Sequence, residues 1–166
     1  MSGADERAED ALRVPAEDYF ALLLETLGND PERRAAFTPG GRSMRPTLRD
    51  RKDVVYLGLP VDLRVGDIAL YRDDGGRYAL HRLIARLPDG RCVFCGDGHV
   101  KPEDPIPVDR VFAIVYAIDR GGLHIDCRRS IPYRLYSRFW TATRPIRRAA
   151  CLVKRALVPR KKRAKP

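Results

Sequence analysis

The chain has 166 residues, 44% of them hydrophobic and 33% charged, with a formal net charge of +10. That length suits one compact unit with appendages, and that composition excludes a chain disordered throughout. No run approaches the roughly 18 consecutive apolar residues of a membrane-spanning helix; the longest, Val111 to Ile118, is strand-sized.

Residues 1–10 are acidic and polar, without the basic patch and apolar stretch of a secretory signal, so a cytoplasmic location is expected. The first predicted element is an amphipathic helix over 16–27, where Tyr19, Phe20, Leu23, Leu24 and Leu27 recur at helical spacing and Gly28-Asn29-Asp30-Pro31 ends the pattern. It makes residues 1–37 an N-terminal helical segment.

Beyond Phe37 the pattern turns to short β-rich runs: Val54 to Leu57, Ile68 to Tyr71, Tyr78 to Leu87, Cys92 to Cys95, Val111 to Ile118 and Leu123 to Cys127. Asp73-Asp74-Gly75-Gly76, Pro88-Asp89-Gly90 and Arg120-Gly121-Gly122 are hairpin signals. The expected fold is mainly β, a curled, barrel-like antiparallel sheet over residues 38–127. Cys92 and Cys95 form a single CxxC without a second pair to complete a zinc site, and in a strand their side chains fall on opposite faces. Buried thiols are expected there, and no metal.

Residues 128–166 form a basic tail. From Arg120 to Pro166 there are fifteen Lys and Arg against one acid, Asp126, whereas residues 1–119 hold seventeen basic and twenty-one acidic side chains. Tyr136, Phe139, Trp140 and Thr143 fall at helical spacing, as do Ile146, Ala150, Val153 and Leu157; Pro132, Pro145 and Pro159 divide them into two short amphipathic helices before the Arg160-Lys161-Lys162-Arg163 cluster. A basic helix with Trp and Phe on its apolar side fits an anionic membrane surface through 133–163. Docking on the protein's own core is the alternative, and nucleic acid is disfavoured because no reading motif accompanies the charge.

Three places exceed the demands of strands and turns. Gly40-Gly41-Arg42-Ser43 offers a hydroxyl just past glycines that admit a close backbone approach. His81 stands inside an apolar run, and Gly96-Asp97-Gly98 is followed by Glu103 and Asp104. Together they supply the hydroxyl, imidazole and carboxylate of activated-serine hydrolysis, in which a base takes the serine proton and an acid holds the base.

The order of these pieces resembles the signal peptidase I family. Ser43-Met44-Arg45-Pro46-Thr47-Leu48 is similar to its nucleophile box, Val65-Gly66-Asp67-Ile68-Ala69-Leu70-Tyr71 to the following Gly-Asp-Ile strand, Leu80-His81-Arg82-Leu83-Ile84 to the general-base box and Gly96-Asp97 to the Gly-Asp box. The resemblance spans residues 38–118, about half the chain. It implies a serine endopeptidase without cofactor, with Ser43 as nucleophile. Histidine at position 81, where most bacterial members carry lysine, resembles the Ser-His branch and implies His81 as general base. The third member is then Asp97 or, slightly preferred, Asp104. Gly41 stands where the family often has serine, so oxyanion stabilisation is expected from backbone amides around Gly41 to Ser43, with Arg42, Met44 and Pro46 in the substrate-binding surroundings.

The implied substrate is a peptide or protein precursor bound as an extended strand along a sheet edge near Ser43. Without an apolar amino-terminal anchor, ordinary signal-peptide removal is disfavoured, and a leader peptide met in the cytoplasm or at the inner face of the membrane is expected instead. Two other readings stay open: a self-cleaving regulator of the same fold, and a non-catalytic module acting on lipid or nucleic acid through the basic tail.

Overall fold

The structure, a computed structural model, describes residues 16–157. The acidic residues 1–10 and the basic cluster at 160–163 lie outside the described residues.

Helix α1 spans Ala16–Leu27. It buries Leu23 and Leu27, with Phe20 and Leu24 partly covered, because these four lie on one stripe of a 3.6-residue helix. Gly28 ends it at φ +52°, its N–H returning 3.0 Å to the Leu24 carbonyl, a left-handed cap that glycine takes without Cβ strain.

Seven strands follow: β1 (Ala35–Phe37), β2 (Val54–Gly58), β3 (Ile68–Arg72), β4 (Tyr78–Arg86), β5 (Cys92–Cys95), β6 (Val111–Arg120) and β7 (Leu123–Asp126). All pairings are antiparallel, and the sheet runs in the order β1-β2-β6-β3-β4-β5, with β7 paired to the end of β6. The fold is thus mainly β and antiparallel, as expected, in one sheet that stays open. The three hairpin signals join β3 to β4, β4 to β5 and β6 to β7. β1 has no counterpart in the sequence reading: three residues are too few to show a period of two, and pairing with β2 draws them into the sheet.

The sheet divides two cores by strand alternation. Leu70 joins Leu23, Leu27, Met44, Leu48, Val55 and Val115 on one side, while its neighbours Ala69 and Tyr71 join Leu83, Phe94, Ile106 and Ile114 on the other.

Helix α2 spans Ile131–Ala142 and α3 Arg144–Leu157. Ser130 caps α2 by accepting from the Tyr133 N–H, and Pro132 occupies the first turn, where a missing N–H costs nothing. One side of α2 docks on the body and the other faces solvent. On one side Ser137 is buried and Tyr136 reaches Thr47 at 2.9 Å; on the other Ile131, Leu135 and Phe139 stay 66%, 62% and 65% exposed. No helix among the described residues is long and apolar enough to cross a membrane.

Candidate active site

Ser43 lies in the turn-rich segment between β1 and β2, half-buried, directly before the core residue Met44. Buried Met44 and Leu48, joined by a 2.9 Å bond from the Leu48 N–H to the Met44 carbonyl, anchor this segment to the first core. The Gly-Asp box packs directly against it: the Gly98 N–H donates to the Ser43 carbonyl at 2.8 Å. A Cβ on Gly96 would sit 2.6 Å from that same oxygen, so the contact admits glycine alone.

His81 is on β4, opposite Ala69 on β3, and 8% exposed. Its Nδ1 lies 2.5 Å from Glu103 Oε1 and 3.1 Å from the Tyr71 hydroxyl, and that hydroxyl also bonds the second Glu103 oxygen. Glu103 is held in place by main-chain bonds that lay residues 103–106 beside β5: its N–H donates to Phe94 at 2.9 Å, and Cys92 and Ile106 exchange bonds of 2.7 and 2.8 Å. Burial pushes the Glu103 carboxyl upward, but hydrogen bonds from His81 and Tyr71 outweigh it and leave its pKa below the usual glutamate value. An ionised carboxylate only accepts, so when the imidazole is neutral its proton sits on Nδ1 and Nε2 holds the lone pair.

Ser43 and His81 line one cavity of about 590 Å³, together with His99 and an apolar wall that includes Phe20, Phe37, Met44 and Leu80. The His99 ring stands edge-on to the His81 ring at 5.6 Å between centroids.

The acid beside His81 is therefore Glu103, and neither aspartate named from the sequence takes that place. Asp97 instead meets Arg82: Nε and Nη2 donate to its two oxygens at 2.8 and 2.6 Å, with both side chains buried. Arg82 extends this network to Gly66 O at 2.7 Å and Ser137 Oγ at 2.6 Å, tying the Gly-Asp box to α2. The register explains the choice, since Cys95 pairs with Arg82 and the chain enters Gly96-Asp97 beside it. Asp104 is exposed, one residue past the glutamate that reaches the imidazole.

The oxyanion expectation also changes. The Gly41 N–H is taken by Asp50 Oδ1 at 2.8 Å, which leaves the Arg42 and Ser43 amides as the donors on which that expectation rests. Met44 lines the cavity. Pro46 lines another hollow with Trp140, Arg144 and Arg147, and Arg42 is exposed outside the cavity lining.

His81, His99 and Glu103 bring three ligand atoms within 4.8 Å of one another, a set able to hold a metal ion. Cys92 and Cys95 are buried free thiols. The sequence reading overlooked Tyr71 and His99. Tyr71 belongs to the same strand face as Ala69, the partner of His81, and a period-two count from that pairing would have found it. Nothing local marks His99, which the turn after β5 carries back toward β4.

No protein-family model, curated protein or solved structure matches this chain.

Proposed function

We propose that the protein is a serine endopeptidase of signal-peptidase type that cleaves a precursor or leader peptide. Ser43 attacks the peptide carbonyl, His81 Nε2 takes its proton and returns it to the leaving amine, and Glu103 holds the imidazole in the required tautomer and stabilises its cation. The observation that carries this reading is the 2.5 Å contact from Glu103 to His81, which stands in the wall of the cavity that Ser43 lines. The apolar wall suits a substrate with apolar or small side chains before the cut. The test is cleavage of a peptide library by the full chain, with the Ser43→Ala and His81→Ala variants both silent. Shortening of the purified chain on incubation would favour self-cleavage instead.

The location proposed with it is the cytoplasmic face of a membrane. Ile131, Leu135 and Phe139 recur every fourth residue on the exposed side of α2, with Arg134 and Arg138 exposed beside them. A stripe of that kind buries its apolar side in the lipid interface while its arginines meet anionic headgroups.

A further inference from the structure

We propose that His81, His99 and Glu103 form a binding site for a divalent transition cation of the zinc class, and that its occupation switches off the general base. The second half rests on the peptidase reading above; the first half stands without it.

Two imidazoles and one carboxylate are a donor set that zinc accepts with a fourth position open. The three ligand atoms lie within 4.8 Å of one another and come from two rigid supports. β4 fixes His81 through its pairing with β3, and the main-chain bond to Phe94 fixes Glu103 beside β5. His99 is exposed, which gives a cation a path from solvent. The turn carrying it is pinned by the bond from the His99 N–H to the Gly96 carbonyl at 2.9 Å. Metal–ligand bonds of about 2.0–2.2 Å place neighbouring donors of a tetrahedral site roughly 3.3 Å apart. The 2.5 Å between His81 Nδ1 and Glu103 Oε1 must therefore widen by a fraction of an ångström, a change within reach of a half-exposed glutamate. Tyr71, hydrogen-bonded to Glu103, is the outer partner that orients the carboxylate.

The inhibition follows from proton placement. A neutral imidazole carries one proton. In the metal-free site it sits on Nδ1, facing Glu103; a cation taking Nδ1 moves that proton to Nε2. No proton is lost, yet the nitrogen that must accept the serine proton no longer has a lone pair. The cation thus competes with base function and leaves the fold intact.

Titration calorimetry of the full chain with zinc, and the visible spectrum of its cobalt complex, test the binding half without any substrate. One equivalent should bind, with a tetrahedral cobalt spectrum lacking the thiolate charge-transfer band that Cys92 or Cys95 would produce. Ser43→Ala, which silences the peptidase, should bind zinc as the native chain does. His99→Ala and Glu103→Gln, which each remove or weaken a direct ligand, should lower affinity by more than the roughly 10-fold that loss of an outer partner costs. Absence of zinc binding by the native chain, a thiolate band, or undiminished affinity in His99→Ala overturns the site. If the native chain cleaves a peptide, zinc should inhibit it at the calorimetric affinity; full activity with the site saturated overturns the switch while leaving the peptidase reading standing.

Discussion

His81 and Arg82 are consecutive on β4 and each meets its own acid, His81 bonding Glu103 and Arg82 bonding Asp97. Alternation along a strand sends neighbours to opposite faces, so one face of β4 carries the imidazole with its acid and the other a buried ion pair. The two acids therefore have separable duties.

Glu103→Gln should lower peptidase activity by roughly 10²- to 10⁴-fold through loss of the imidazole tautomer and shift unfolding free energy by less than about 1 kcal/mol. Asp104→Asn should change neither quantity appreciably. Peptide turnover and urea denaturation of the two variants check this, and a silent Asp104 variant with an active Glu103 variant would refute the assignment.

Asp97→Ala should behave in the opposite way. It leaves the Arg82 guanidinium, buried among Gly66, Thr47 and Ser137, without its counter-charge, and removing one partner of a buried pair costs about 3–5 kcal/mol. Denaturant midpoints should fall steeply for Asp97→Ala, and replacing Arg82 and Asp97 together by apolar residues should recover part of the loss.

Gly96→Ala forces a methyl group to within 2.6 Å of the Ser43 carbonyl oxygen. Main chain must move on one side or the other, at about 1–3 kcal/mol, and the Ser43 loop moves with it. Turnover should fall more than stability does. Equal activity of this variant and the native chain would show that the Gly-Asp box does not position Ser43.

Acid stability should depend on Asp53. Burial raises its pKa, but hydrogen bonds from Arg120 and Arg49 more than compensate and hold it below the ordinary aspartate value. A carboxyl depressed in the folded state adds stability that is fully present above its unfolded pKa of about 3.9 and is lost as pH falls through the lower folded value. Asp53→Asn should be less stable than the native chain at neutral pH and lose less on acidification below about pH 4, as measured by urea denaturation across pH.

The exposed stripe of α2 predicts vesicle binding. The double variant Leu135→Gln, Phe139→Gln should bind phosphatidylglycerol vesicles roughly tenfold less or weaker still, and native binding should weaken as salt screens the arginines. Co-sedimentation of native chain and variant with equal strength would remove α2 as the contact.

Six of the seven strands, the opening helix and both tail helices were legible along the chain, because periods of two and 3.6, hairpin glycines and helix-capping residues are local signals. Ser43 and His81 were legible as residues of unusual type in their surroundings. Their acid was not. The sequence distance from His81 to Asp97, Glu103 or Asp104 carries no information on which reaches the imidazole. That depends on the register of β5 against β4, which commits Asp97 to Arg82, and on main-chain bonds that return residues 103–106 beside β5.

What the order of amino acids determined by itself was therefore local: which segments are strands, where the charge collects, and which groups have the chemistry to act. Which of those groups meet was decided by tertiary structure alone, because a hydrogen bond acts over about 3 Å, and only the pairing of distant strands brings His81, Glu103 and Tyr71 within that reach while carrying His81 into the wall of the cavity that Ser43 shares.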